Sequence, residues 1–535
     1  MKQFSALFDA LDSTASTRQK IDALCAYFED AAPEDAAWAV HFLSGQKLRR
    51  IVGPALLRRW LVEASDLPAW LIDESYAAVG DLAETIALLQ SPAGGGACNP
   101  TNCDVPLHSW VERLTALSSR PVDEQREQVI GWWSSLRPRE SFLVNKLMTG
   151  GLRIGVSRAL LARALAEHTG IARERLLQRL AGEWVPSGRA YAALIDPAET
   201  ALDGSRPYPF YLASPLDVDP RELGAVEDFV VEWKWDGMRA QLIKRHDSIH
   251  LWSRGEERIT DRFPDIISVA SSLSDGTVLD GEILAWTDDA PAPFADLQRR
   301  IGRKRVSQRL VQEVPVRFLA YDLLEHAGTD LRELPLDRRR SLLVASLQTT
   351  APCIAASPEV VASSWAQLDE LRAESRQRSV EGLMLKQRDS RYGVGRQRGA
   401  WWKWKIDPYT VDAVLLYAYP GHGRRSNLYT DYTFAVWNAG ELVPVAKAYS
   451  GLELTEIERL DRWIRRHTIE RFGPVRSVAP ELVFELAFEG IARSTRHKSG
   501  VALRFPRILR WRHEKTAEAA DTLESLVRLI DKRTM

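Results

Sequence analysis

Glu232-Trp233-Lys234-Trp235-Asp236-Gly237-Met238-Arg239 is the stretch from which the rest of the chain can be read. An apolar run, Phe229 to Val231, precedes it and a second, Ala240 to Ile243, follows. That pattern predicts two short strands joined by a tight turn, with Lys234 at a strand end and aimed into a cleft. An amine with a solution pKa of about 10.4 is protonated at neutral pH, so a nucleophilic lysine needs burial or nearby positive charge. Arg239, Arg254, Lys403 and Lys405 offer such charge. By itself Lys-x-Asp-Gly also describes an ordinary surface turn.

Further motifs follow in order. They are Ser253-Arg254-Gly255, Leu279-Asp280-Gly281-Glu282, Ala320-Tyr321-Asp322, Glu381-Gly382-Leu383-Met384-Leu385-Lys386, Trp401-Trp402-Lys403-Trp404-Lys405 and Arg504-Phe505-Pro506-Arg507-Ile508-Leu509-Arg510. The series resembles the successive motifs of the covalent nucleotidyltransferases, and most closely those of the ATP-dependent DNA ligases. The resemblance reaches from Pro207 to Lys515 and extends more loosely into the N-terminal third.

The resemblance implies that Lys234 takes AMP from ATP as a phosphoramidate and passes it to a 5′-phosphate, after which a 3′-hydroxyl seals the nick. It assigns Glu232 to the adenine amino group, Tyr321 to stacking on adenine, and Arg239 and Arg254 to ribose and phosphates. Glu282 would serve the sugar and, with Glu381, a divalent metal, Mg²⁺ or Mn²⁺. Lys403 and Lys405 alternate with tryptophans along an expected strand, which points both ammoniums to one face, and the resemblance places them on the α-phosphate. The family arginine that precedes this strand falls on Gln397, so Arg396 or Arg398 would substitute. Arg504, Arg507, Arg510, Arg512 and Lys515 would contact the leaving pyrophosphate or DNA phosphate. An RNA ligase or a capping-type nucleotidyltransferase would use the same lysine motif. A helical domain followed by core and barrel suits nicked duplex DNA better, bound by a monomer.

The 535-residue chain predicts about two to four domains. Its 45% hydrophobic and 27% charged residues fit a globular protein. No apolar run approaches the ~20 residues needed to span a bilayer, and Met1-Lys2-Gln3-Phe4 opens no leader pattern, so an intracellular, cytoplasmic location is expected. Four cysteines are too few for a disulfide framework; Cys98 and Cys103 are close enough for half a metal site, but no second pair completes it. A net charge of −1 is compatible with nucleic-acid binding only if the basic residues are segregated on one surface.

Residues 1–200 read as an all-α DNA-binding domain. Ile21, Leu24, Cys25 and Phe28 form one helical stripe and Val79, Leu82, Ile86 and Leu89 another, with breaks at Ala32-Pro33, Gly53-Pro54, residues 94–96 and Gly150-Gly151. Residues 146–158 read as a helix end, a glycine turn and a new helix capped by Ser157. Arg153, Arg158 and Arg163 cluster there, either as a solvated face or as contacts to duplex phosphates. A linker rich in Pro, Ser, Asp and Gly spans about 195–215, and residues 206–405 read as an α+β nucleotidyltransferase core with antiparallel sheets. Asp407-Pro408 marks a hinge. Residues 409–535 read as a β-barrel of the OB-fold type with one inserted helix and a terminal helix over Ala517 to Asp531.

Overall fold

The computed structural model describes residues 1–65, 67–90, 105–150, 152, 154–181, 184–198, 204–287, 290–303, 305–348, 350–421 and 427–531. Cys98, Cys103, Arg153 and most of the glycine-rich loop near 91–106 lie outside them. Contacts divide the chain into two units. One comprises Met1–Asp9, Gln46–Ile154 and Asp407–Met535, and the other Ala10–Gly45 and Gly155–Ile406.

The N-terminal residues are helical wherever the sequence signals allow. Pro33 and Pro54 each open a helix, Pro33–Leu43 and Pro54–Ser65, at the position where a missing N–H costs nothing. Ile21, Leu24 and Phe28 are buried on Thr17–Asp30, and the Cys25 thiol donates to the Ala164 carbonyl of helix Arg158–Thr169. The second stripe is not one helix. Ala69–Val79 ends at Gly80, whose φ of 75° is the left-handed cap, and Asp81 then accepts from the Glu84 N–H to start Leu82–Leu89. Helix Pro138–Thr149 likewise ends on Gly150, and Ser157 caps the next helix through the Leu160 N–H, as its sequence predicts.

In the second unit two sheets carry the motifs. The larger runs, in spatial order, Ile354–Ala356, Val316–His326, Thr277–Thr287, Met238–Arg245, Ser248–Ser253. The smaller runs Ser214–Pro215, Trp401–Lys405, Val380–Gln387, Phe229–Trp235. Both are antiparallel except at an edge, where Ile354–Ala356 and Ser214–Pro215 pair in parallel. Phe229–Trp235 is longer than the apolar run alone indicates, so Lys234 lies within the strand and Asp236-Gly237 makes the turn into Met238–Arg245. Alternation divides the smaller sheet chemically. Phe229, Val231, Leu383 and Leu385 form a buried cluster with Trp233, Trp402 and Trp404 packed on it. Glu232, Lys234, Lys403 and Lys405 occupy the alternate positions. Three of the 18 tryptophans thus build the apolar side of the sheet that bears the lysines.

Residues 409–531 hold the long strand Tyr409–Pro420, which pairs with Tyr429–Asn438 and Val475–Val478 and, through its first half, with Val483–Phe488. Val483–Phe488 pairs in turn with Arg507–Trp511. The strands surround a core that includes Val411, Phe434, Phe484 and Ile508, and helix Leu454–Arg466 contributes Leu460 and Ile464 to it. The terminal helix begins later than its sequence pattern predicts, at Leu523. Asp521 is held in the sheet instead: its carboxylate accepts the Asp412 N–H at 2.8 Å, and its carbonyl accepts the Trp437 N–H at 3.0 Å.

Candidate active site

Strand pairing brings the predicted site residues together across long sequence intervals. Val380–Gln387 lies between the Lys234 strand and the Lys403/Lys405 strand, with Met384 opposite both Glu232 and Lys403. A register shift between Val380 and Leu383 sets Glu381 against Lys234. Gly382 makes that shift possible. Its φ is +135°, and a Cβ there would lie 2.3 Å from the Trp404 carbonyl oxygen.

Lys234 Nζ donates to Glu381 Oε2 at 2.6 Å, and Lys405 Nζ reaches the same oxygen at 3.1 Å. Burial acts to raise the Glu381 pKa, but the two ammoniums outweigh it and bring the carboxyl down to about 2. Lys403 is lowered from the ordinary lysine value by burial and then by the neighbouring charges of Arg396, Lys234 and Lys405. Lys234 therefore sits beside Lys405 and Lys403, two of the four cations that the sequence offers, around a carboxylate partner that the sequence does not pair with it. Among the flanking arginines, Arg396 is the one whose charge acts on Lys403, while Gln397 turns its amide to the Val394 carbonyl.

The larger sheet supplies the remaining groups. Arg239 faces Glu282 across the strand pair and is gripped by the fully buried Asp280, with Nε–Oδ1 3.2 Å and Nη2–Oδ2 2.7 Å. The Tyr392 hydroxyl donates to the same Asp280 at 2.6 Å. The Arg239 guanidinium lies 5.6 Å from the Tyr321 ring centroid. Burial pushes the Glu282 carboxyl up to about 8, although Lys234 and Arg239 oppose the shift. Burial also holds the Tyr321 hydroxyl well above its usual range. Arg254 is exposed and tied to the site by its backbone, the N–H donating to the Arg239 carbonyl at 3.0 Å.

Glu232 is buried beneath this face at 2% exposure. Its Oε1 accepts from Arg340 Nη1 at 2.6 Å and its Oε2 from Lys386 Nζ at 2.5 Å. Lys386 in turn lies 4.2 Å from the Tyr321 ring centroid and 4.5 Å from that of Trp401. Arg340 and Tyr392 carry no sequence signal for the site: nothing in their local pattern distinguishes them from ordinary residues of a helix and a loop. Asp280 and Lys386 each stand inside a motif of the series, yet only the three-dimensional structure gives their side-chain partners, Arg239 and Tyr392 for Asp280 and Glu232 for Lys386.

The described residues contain no group of three or more His, Cys, Asp or Glu side chains placed to hold a metal. Glu282 and Glu381 are hard oxygen donors, and a protein that supplies two carboxylates leaves the other positions to substrate phosphates and water, which is how Mg²⁺ is commonly held. The residues present therefore fit such an ion.

Three families match the chain in succession. "DNA ligase N terminus" covers residues 1–166, "ATP dependent DNA ligase domain" residues 212–405, and "ATP dependent DNA ligase C terminal region" residues 425–515. A "Probable DNA ligase" of Koribacter versatilis is 33% identical, covering 98% of this chain and 95% of its own. The chain belongs to the ATP-dependent DNA ligases. A "DNA ligase" of Methanothrix thermoacetophila is 28% identical over 98% of the ligase and 97% of the relative. In fold, the solved structure "Pmar-Lig_PreS3" aligns with a TM-score of 0.62 at 14% identity, over 95% of the ligase and 99% of that chain.

The basic residues predicted to meet pyrophosphate or DNA are mostly in ion pairs. Arg507 pairs with Glu489 at 3.0 Å, Arg510 with Glu485 at 2.5 Å, Arg512 with Asp412 and Glu514, and Lys515 with Asp412 at 2.6 Å. The Arg504 guanidinium lies 5.2 Å from the Phe505 ring centroid. In the helical part of the ligase, Arg158 pairs with Glu256, close in sequence to Arg254, while Arg163 is exposed beside Glu167. No helix of the described residues is long and apolar enough to cross a membrane.

Proposed function

We infer that this ATP-dependent DNA ligase carries its AMP on Lys234. The observation that carries the reading is the convergence of Lys234 and Lys405 on one carboxylate oxygen of Glu381, with Lys403 alongside. In the first step the Lys234 ammonium gives a proton to solvent and the free amine attacks the α-phosphorus of ATP. A P–N bond forms, the P–O bond to pyrophosphate breaks, and pyrophosphate leaves. Lys403 and Lys405 neutralise charge on the α-phosphate, and Arg396 does the same from the preceding segment. Glu232 receives the adenine amino group and Tyr321 stacks on the ring, while Arg239, Arg254 and Glu282 hold ribose and phosphates. Glu282 and Glu381 would hold Mg²⁺ or Mn²⁺, which when bound spreads phosphate charge.

In the second step an oxygen of the DNA 5′-phosphate attacks the adenylyl phosphorus and the P–N bond breaks, returning Lys234. In the third the 3′-hydroxyl attacks the activated 5′-phosphate, closing the phosphodiester and releasing AMP. We assign duplex contacts to residues 1–200, with Arg158 and Arg163 on phosphates, catalysis to residues 206–405, and pyrophosphate or DNA phosphate contacts to Arg504, Arg507, Arg510, Arg512 and Lys515 in residues 409–535. The enzyme is proposed to act as a monomer on nicked duplex DNA.

The test is incubation with α-labelled ATP and a magnesium salt, followed by mapping of the modified peptide. Acid-labile, amine-linked AMP on Lys234, absent from Lys234→Ala, is expected. Label elsewhere overturns the assignment. Nicked DNA, nicked RNA and GTP offered side by side distinguish DNA ligation from the RNA-ligase and capping chemistries that share the lysine motif.

A further inference from the structure

Arg340 is buried and makes two short contacts, one to Glu232 and one to the segment that carries Ser357. Its Nη1 donates to Glu232 Oε1 at 2.6 Å, and its Nη2 donates to the Ser357 carbonyl at 2.6 Å. Ser357 is tied to the chain neighbours of both Tyr321 and Lys234. Its N–H donates to the Ala320 carbonyl at 2.7 Å, one residue before Tyr321, and its hydroxyl accepts from the Trp235 indole at 3.1 Å, one residue after Lys234. The segment that follows returns to the Lys234 strand through the Val360 N–H, which donates to the Val231 carbonyl at 2.8 Å. A single planar guanidinium therefore fixes the Glu232 carboxylate relative to the segment that also anchors Tyr321.

We propose that Arg340 is a specificity-determining positioning residue, which aims the Glu232 carboxylate so that the pocket prefers purines bearing a 6-amino group. The proposal rests on the assignment of Glu232 to the adenine amino group. An ionised carboxylate accepts and never donates, and each of its oxygens has two acceptor sites. Arg340 uses one on Oε1 and Lys386 one on Oε2, which leaves acceptor capacity for an N–H donor from the base. A 6-oxo purine presents an acceptor at that place, and an unsubstituted purine presents nothing. Lys cannot replace Arg here, because a single ammonium does not reproduce the two-pronged fork that spans a carboxylate and a carbonyl.

The experiment measures self-adenylylation with ATP and with purine riboside triphosphate, which differs only by lacking the 6-amino group. For the native ligase a preference for ATP of about 10-fold or more in kcat/KM is expected, the range of one charge-assisted hydrogen bond. In Arg340→Gln that preference falls toward unity, mainly through a raised KM for ATP, while thermal unfolding reports that the protein is folded. Arg340→Lys retains an intermediate preference. Glu232→Gln separates the two layers of the argument. If Glu232→Gln loses the preference and Arg340→Gln keeps it, Arg340 is not the positioning residue and the proposal fails. If Glu232→Gln keeps the preference, the adenine assignment itself fails and the proposal falls with it. Should Arg340→Gln not fold, Arg340→Lys decides alone: an undiminished preference overturns the role of the fork, and a reduced one supports it.

Discussion

Lys234 Nζ and Glu381 Oε2, 147 positions apart in sequence, stand 2.6 Å from one another. The proposed nucleophile is thus held as half of an ion pair whose carboxylate is shared with Lys405. Removing Glu381 leaves clustered ammoniums without their counter-charge, and Glu381→Gln is expected to slow adenylylation by about 100-fold, as loss of one preorganised electrostatic group does. Quantified AMP label under single-turnover conditions checks it.

The same pair has a pH signature in stability. A carboxyl held at about 2 when folded, below its unfolded value, contributes stability that is fully present above the unfolded value and lost as pH falls through about 2. The deficit in melting temperature of Glu381→Gln relative to the native protein is therefore expected to be constant from pH 5 to 8. It should narrow toward pH 3. Thermal scans across that range measure it.

Glu282 has the opposite sign. Its carboxyl titrates at about 8, so the folded ligase holds a proton there that the unfolded chain has released, and this group reduces stability as pH rises from the unfolded value toward 8. The slope of melting temperature between pH 5 and 8 should be less negative in Glu282→Gln. The kcat/KM for ATP reports groups on the free enzyme. A limb near pH 8 in the native profile, absent from Glu282→Gln, is expected.

Asp280→Asn strips the buried partner from Arg239. Breaking a buried charge pair by removing one member costs about 3–5 kcal/mol, and Asp280 is fully buried against a nearly buried guanidinium. Urea unfolding should show a loss of that order. Retention of native stability would mean that Arg239 finds another anchor.

Gly382→Ala places a methyl 2.3 Å from a carbonyl oxygen at a φ of +135°. The strands that carry Glu381 and Lys405 must then separate or lose their register shift, at a cost of about 1–3 kcal/mol. Adenylylation should fall together with the unfolding midpoint.

Much of this site is legible in the order of residues. Lys234 and Glu232 share a strand face because side chains alternate, and Lys403 and Lys405 share one for the same reason. Helix starts at Pro33 and Pro54 and the helix end at Gly150 follow from local backbone chemistry. Local signals also mislead where a turn interrupts a periodic pattern. Gly80-Asp81 divides one apolar stripe between two helices, and the sheet contacts of Asp521 delay the terminal helix to Leu523.

The sequence by itself determined which chemical groups this ligase possesses, in what order, and on which face of each strand they lie, since alternation and backbone stereochemistry are properties of a few adjacent residues. Only the tertiary structure decided their partners: Glu381 with Lys234, Asp280 with Arg239, Arg340 with Glu232. These pairings span 147, 41 and 108 positions. Such distances are closed by strand order, a register shift at one glycine and the packing of a distant helix, none of which leaves a periodic trace in the chain.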